Sequence, residues 1–121
     1  MLFTINSHDY SEKIQKDTYK ISQNDVGYRW KDGNHKTHLQ EVLKVQGSFD
    51  IAFVTVADYN TFLNDITTAT DNDGYVACTL FVNNLNNTDT IDAIITLTPS
   101  KHRPVDSTVA VNIISVGIEE A

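Results

Sequence analysis

The sequence predicts a mainly β (α+β) domain: an antiparallel sheet, a sandwich or a partly open barrel of roughly five to seven strands, with one helix near residues 57–68. Three observations support this fold class. Apolar and polar residues alternate over several stretches, which is the period of a half-buried strand. One segment changes to the period of a helix. Turn-forming residues such as Asp, Asn, Gly and Pro separate these stretches.

The first 36 residues have the least regular pattern. Short strands are expected at residues 2–5, 18–22 and 26–30, where apolar and β-prone residues cluster. The Asp32-Gly33-Asn34 sequence predicts a turn that closes this region, because these residues tolerate the backbone angles of tight turns.

The clearest alternation runs over residues 39–55 and predicts a strand. This stretch exceeds the usual strand length, and Gly47 near its centre indicates a bulge or bend in one continuous ribbon. A hairpin broken at Gly47 is the alternative. The apolar residues that share one parity are Leu39, Leu43, Val45, Phe49, Ile51 and Phe53.

The next segment, residues 57–68, has the apolar spacing of a helix. Thr55 followed by Asp58 predicts a cap at its start, because the threonine hydroxyl can accept a hydrogen bond from a free backbone amide. Residues 67–74 are polar and end in a turn sequence, so they predict a loop. The helical apolar stripe consists of Tyr59, Phe62, Leu63 and Ile66.

The last third of the chain predicts three strands. Alternation at 75–82 and again at 91–97 indicates a hairpin, joined by the polar link 83–90. Both prolines fall in 99–106, which predicts a second break. A final strand is expected at 108–118. Its apolar parity changes between Ile113 and Ile114, which fits a bulge or burial on both faces.

Length and charge set the domain count and limit the partners. A chain of 121 residues predicts a single domain, 1–121, with one hydrophobic core. The formal charge is −7, and residues 47–121 carry two Lys or Arg against ten Asp or Glu. A negative field of this kind repels phosphate, so nucleic acid is not expected as the main partner.

Cysteine content and hydropathy bear on the compartment. A single cysteine excludes an internal disulfide, and Cys78 lies in an apolar run that predicts a buried, inert side chain. The first six residues lack a charged leader and a long apolar stretch, which argues against a signal peptide. No membrane partner is expected, and the cytosol is the expected compartment.

No residue pattern in the sequence indicates a catalytic, cofactor-binding or metal-binding site, so the chain is not expected to be an enzyme. His35 and His38 would lie on opposite faces of a strand, which does not suit a shared metal. The Asp71-Asn72-Asp73-Gly74 sequence has Ala69 and Leu80 where a calcium loop needs acids, so it predicts a solvated turn. No nucleophile elbow or Gly-rich phosphate loop occurs. A hydrolase assembled from dispersed acids and histidines has no linear signature and stays a third hypothesis.

One short segment stands out as a candidate binding surface. Tyr28, Arg29, Trp30 and Lys31 combine the residue types that anchor protein interfaces. The same mixture can stack on nucleic-acid bases, but the acidic background favours a protein interface. A purely structural interpretation, in which Tyr28 and Trp30 cover the core edge, is equally consistent with the sequence.

Several short sequence pieces occur in a characteristic order over most of the chain. They are Ile5-Asn6 with Asp9-Tyr10-Ser11, Tyr19-Lys20-Ile21-Ser22, Trp30-Lys31-Asp32 with Lys36-Thr37, Gly47-Ser48-Phe49-Asp50, Tyr59-Asn60, Phe62-Leu63, Tyr75, Val82-Asn83-Asn84 and Ile91-Asp92-Ala93. In this order the chain resembles the small proteins encoded in tail-assembly modules of long-tailed phages and prophages of Gram-positive bacteria. Two features depart from that pattern: Asn6-Ser7-His8 stands where those proteins usually have Asn-Gly, and the second-to-last connection carries both prolines.

The resemblance implies a structural subunit of the virion that packs into rings or fills joints and performs no catalysis. Its expected partners are other copies of itself and neighbouring tail proteins, as a homo-oligomer in the assembly. The implied location is the host cytoplasm during assembly and the virion after incorporation. A soluble module that binds a small ligand or carbohydrate, in a sheet concavity lined by aromatics, is the alternative function.

Overall fold

The computed structural model describes residues 2–25, 27–31, 33–40, 42–104 and 110–121. Two short 3₁₀ turns, Ser11–Lys13 and Asn83–Leu85, accompany the regular elements. In chain order these elements are β1 (Phe3–Ile5), β2 (His8–Asp9), β3 (Lys20–Asp25), β4 (Tyr28–Lys31), β5 (Thr37–Gln40), β6 (Leu43–Phe53), α1 (Val56–Ala69), β7 (Val76–Val82), β8 (Asn87–Pro104) and β9 (Ala110–Glu120).

Seven of these strands form one antiparallel sheet in the order β2-β1-β7-β8-β9-β6-β3, and the sheet does not close into a barrel. The other two strands, β4 and β5, form a separate antiparallel pair. The predicted class, a mainly β fold with one helix, is confirmed.

The hydrophobic core lies between one face of the sheet and α1. Helix α1 contacts β1, β6 and β7, which come from both halves of the sheet, so the sheet curls around the helix. Phe49, Phe53 and Phe62 are fully buried, and the Phe53 and Phe62 rings pack with centroids 5.2 Å apart. The inward residues of β6, β7 and β9 alternate with exposed or half-buried residues, as period-two patterning requires.

Side chains bridge the gap that remains between β3 and the end of β7. The Tyr19 hydroxyl lies 2.9 Å from the Leu2 carbonyl oxygen and 2.6 Å from that of Phe81. The Asn84 side chain accepts a hydrogen bond from the backbone N–H of Gln23 at 2.8 Å and donates one to the backbone carbonyl of Gln23 at 2.7 Å. Asn84 therefore satisfies the backbone of β3 at this position as a neighbouring strand would.

The helix agrees with the prediction to within one residue at each end, but the loop begins after Ala69, because residues 67–69 are still helical. Thr55 caps α1, since its hydroxyl accepts from the Asp58 amide at 3.1 Å. Asp71 then organises the predicted turn, because its carboxylate accepts from the amides of Asp73 and Tyr75 at 2.9 and 3.0 Å. Within the described part of the chain, no helix has the length and apolar composition needed to cross a bilayer.

Strand β8 extends into both of the breaks predicted on either side of it, at residues 83–90 and 99–106. The link from β7 is shorter than residues 83–90, because β8 begins at Asn87, and the strand continues through Pro99 to Pro104. Residues 105–109 lie outside the described residues. A bulge was expected in the last strand, β9. It lies instead in β8, the strand that pairs with β9, because the register shifts between Pro99 and Lys101, opposite Ile114 and Ile113.

Other differences concern the first half of the chain. Strand β2 was not expected, since it is two residues long and has no apolar side chain. Val26, at the start of the predicted strand 26–30, lies outside the described residues, as does Asp32 of the predicted turn. Leu43 shares the parity of the core residues but is 49% exposed.

Gly47 explains how β6 can run unbroken for 11 residues. The hairpin alternative is wrong, because Gly47 pairs with Ile21 on one side and Ile118 on the other. Its φ is +149°, and a Cβ at this position would lie 1.8 Å from the Lys20 carbonyl oxygen. The close approach of β3 therefore requires glycine.

We expect Gly47→Ala to lower the free energy of unfolding by more than about 2 kcal/mol, because β3 would have to move away from β6. Gly117→Ala is the matched control, since a Cβ there meets its nearest atom, Thr96 Cβ, at 3.6 Å. That variant should change the stability by less than about 1 kcal/mol. Urea denaturation measures both values, and equal effects of the two substitutions would contradict the role given to Gly47.

Candidate functional site

The candidate docking surface is the hairpin of β4 and β5, named the basic arm and defined as residues 27–40. It is inserted between β3 and β6, whose last pair is Asp25 with Leu43. Pairing then resumes within the arm, from Tyr28 with Gln40 to Lys31 with Thr37. The arm therefore prolongs the β3–β6 hairpin past the end of the sheet.

Asp25 fastens the base of the arm. One oxygen of its carboxylate accepts from the Gly27 amide at 2.8 Å and from the Val42 amide at 3.1 Å, so it ties both strands at the break in pairing. The bonds from Gly27 and Val42, with a smaller contribution from the Arg29 charge, lower the pKa of Asp25. The Asp25 carboxylate with these two hydrogen bonds, named the clamp, is therefore charged at neutral pH.

Three of the four predicted interface residues have described side chains, and all three are exposed. Arg29 and Lys31 alternate with Trp30 along β4, so the two cations lie on one face of the arm and the indole on the other. Trp30 is 46% exposed and is not part of the hydrophobic core. The side chain of Tyr28 lies outside the described part of the structure, so the alternative that Tyr28 and Trp30 cover the core edge stays a prediction.

The basic arm has the opposite charge to the rest of the molecule. It contains three of the nine Lys and Arg residues and one of the sixteen Asp and Glu residues. The remainder of the chain thus holds six basic against fifteen acidic residues. A projecting cationic hairpin on an anionic body is suited to a negatively charged protein surface.

A second feature lies at the other end of β6 and is named the acidic recess. It has a volume of about 370 Å³ and is lined by Asp9, Glu12, Lys13, Gln15, Ala52 and Val54. The Lys13 ammonium lies 3.8 Å from the Asp58 carboxylate, which offsets its charge. Val54 is 55% exposed and gives the recess an apolar wall.

Another recess, of about 220 Å³, lies on the outer face of the sheet beside the β1–β2 turn. Its wall is mainly small and hydroxylated, and it consists of Thr4, Asn6, Ser7, Ala77, Cys78, Thr79 and Thr90. Neither of these two recesses has an aromatic side chain in its wall. They differ in this respect from the aromatic concavity expected of a carbohydrate-binding module.

A buried carboxylate joins the N-terminal hairpin to the helix. Asp65 is 3% exposed and accepts hydrogen bonds from the Tyr10 hydroxyl, from His8 Nδ1 at 2.7 Å and from Asn6 Nδ2 at 3.1 Å. Burial opposes the charge, but these bonds outweigh it and lower the pKa of Asp65. Sequence reasoning missed this cluster, although Asp65 follows the buried Phe62 by three residues and so lies on the same helix face.

The His8–Asp65 pair is the arrangement closest to a catalytic one, because a carboxylate can orient a histidine base. The His8 ring is bonded to Asp65 and to no hydroxyl or thiol of the described residues. Cys78 is buried in the core, as predicted, and this burial raises the pKa of its thiol to about 12. In the described ranges, no three His, Cys, Asp or Glu side chains are placed to hold a metal ion.

Comparisons of the chain with protein-family models, with curated proteins and with solved structures found no match. A functional proposal therefore depends on the arm, the recesses and the sequence pieces themselves. Among these, the basic arm combines projection, exposed aromatic surface and charge opposite to that of the body.

We expect Asp65→Ala to lower the free energy of unfolding at pH 7 by about 2–4 kcal/mol, because the buried Tyr10 hydroxyl loses its acceptor. Asp58→Ala on the same helix is the control. The Asp58 side chain is 49% exposed, so its loss should cost less than about 1 kcal/mol. Urea denaturation of both variants measures the difference.

The lowered pKa of Asp65 also predicts a pH dependence. Its contribution to stability is present above the ordinary aspartate pKa and is lost as the pH falls through the folded-state pKa. The stability of the natural chain should therefore fall more steeply toward acid than that of the Asp65→Ala variant. Parallel pH profiles for the two proteins would contradict this assignment.

We expect Asp25→Ala to loosen the basic arm without unfolding the sheet. Amide hydrogen exchange should accelerate at least about fivefold in residues 27–31 and 37–40, because the clamp at the base of the arm is lost. Exchange in β7 should be unchanged. Asp25→Asn keeps one acceptor oxygen and should give an intermediate rate, whereas equal rates for all three proteins would contradict the clamp.

Proposed function

We propose that this protein is a structural or assembly component of a phage or prophage tail and that it acts through protein–protein contacts. It would meet its partners in the host cytoplasm during assembly and remain in the virion where it is incorporated. The partners are neighbouring tail proteins and other copies of the chain. The sequence pieces that resemble tail-module proteins support the tail context.

The basic arm is the observation that carries the contact function. A two-stranded hairpin beyond the sheet gains little from the core, and it carries Trp30, a large apolar side chain that is 46% exposed to water. Aromatic and arginine side chains are the residues that dominate protein interfaces. Arg29 and Trp30 lie on opposite faces of the arm, so each face presents one of these residue types to a partner.

The charge pattern favours protein over nucleic acid as the partner. Phosphate contacts need several cations in a continuous positive field, and outside the arm the chain holds six basic against fifteen acidic residues. An approaching nucleic acid would meet this negative body beside the arm. An acidic protein surface can instead contact the arm alone.

Co-expression with the proteins encoded beside its gene tests the proposal. The tagged chain should copurify in a fixed ratio with at least one neighbouring tail protein, and the Arg29→Glu/Lys31→Glu variant should bind it more than about tenfold more weakly. Lys101→Glu/Arg103→Glu is the control, because it makes the same charge change on the β8–β9 hairpin.

A folded chain that binds none of the proteins encoded beside it would contradict a role in the tail. Binding that is lost equally in the arm variant and in the control would show that net charge, and not the arm, determines the contact.

A further inference from the structure

The basic arm and the acidic recess lie at opposite ends of one strand. The arm joins β6 at Leu43, and the recess is bounded by Ala52 and Val54 at the other end. Along the strand, these points are about 30 Å apart, at about 3.3 Å per residue. Each strand of the arm has four residues and spans about 13 Å, which is less than this separation, so the arm cannot fill the recess of its own chain.

The two features have opposite charge. The recess presents the carboxylates of Asp9 and Glu12, while the Lys13 charge in its wall is offset by Asp58. The arm presents Arg29 and Lys31 on β4. Opposite charges at two ends of one molecule attract the ends of different molecules, and a partly enclosed apolar wall strengthens that attraction.

The two features also agree in size and polarity. A volume of about 370 Å³ is in the range that holds small organic groups, so the recess can take the Arg29 or Lys31 side chain from the cationic face of the arm. Its apolar wall includes Val54, which is 55% exposed. The alkyl parts of the Arg29 and Lys31 side chains can cover this wall while their charged groups meet the carboxylates.

We infer that the basic arm of one copy docks in the acidic recess of a second copy, so that the protein associates with itself head to tail. This inference rests on the proposed function as an assembly protein and specifies one of its partners. Because the two contacting surfaces differ, each copy keeps a free arm or a free recess after pairing. Addition can then continue until the copies close into a ring or form an open filament.

The purified chain alone tests this contact, by sedimentation over a concentration series at low and high salt. The mean mass should rise with concentration, and high salt should weaken the association because the contact is charged. Arg29→Glu/Lys31→Glu should weaken it more than about tenfold, and so should Glu12→Lys/Val54→Lys in the recess. Lys101→Glu/Arg103→Glu should associate like the natural chain.

A mixing experiment tests the head-to-tail geometry. The arm variant keeps an intact recess, and the recess variant keeps an intact arm. Each should remain monomeric alone, whereas an equal mixture should associate. A contact between two identical arms would not be restored by mixing, so a monomeric mixture would overturn the inference. Circular dichroism of each variant confirms that it is folded.

Further outcomes separate this inference from the function proposed above. A natural chain that stays monomeric at every concentration and salt overturns the head-to-tail contact. If that monomer still copurifies with neighbouring tail proteins, the assembly function stands without self-association. Arm-dependent binding of a single-stranded DNA oligonucleotide by a chain that does not self-associate also overturns the inference.

Discussion

The close approach of β3 to β6 at Gly47 is the constraint on which the rest of the structure depends. Only a residue without Cβ lets the Lys20 carbonyl come so near, and this close approach lets β3 pair with β6 from Lys20 to Asp25. Strand β6 pairs with β3 and β9 and supplies Phe49 and Phe53 to the core. The same strand separates the basic arm from the acidic recess.

Two carboxylates stabilise the parts of the chain that the core does not hold. Asp25 ties the base of the basic arm, and Asp65 ties the β1–β2 turn to α1. That turn has positive φ at both Asn6 and Ser7, a conformation that costs a non-glycine residue free energy. The bond from Asn6 to Asp65 helps to offset this cost. Both aspartates have a lowered pKa because hydrogen bonds favour the charged form.

The sequence predicts the elements whose signal is local and misses those that depend on distant residues. Period-two alternation locates β6 and β7, and helical spacing with the Thr55 cap locates α1. The first residues of β8 were missed, because they are polar and exposed on both faces. Its last residues were missed because Pro99 was interpreted as a break, although a bulge accommodates it.

The candidate sites also divide into those that have a local signal in the sequence and those that depend on distant residues. The basic arm could be found from residues 28–31, since its aromatic and basic residues are contiguous. The acidic recess could not, because it combines β2, the first 3₁₀ turn and β6. The Asp65 cluster joins residues more than 50 positions apart, and its one local signal is that Asp65 follows Phe62 by three residues on the same helix face.

The edges of the sheet explain why assembly would use side chains and not added strands. β2 is two residues long, and the Asn84 side chain occupies part of the β3 edge. β8 pairs with β7 only as far as Ala93, and Pro99 and Pro104 interrupt the edge beyond it. Short edges, covered edges and prolines all oppose strand addition. A docking contact on this molecule is therefore better made by the basic arm, whose exposed side chains can select a partner by charge and shape.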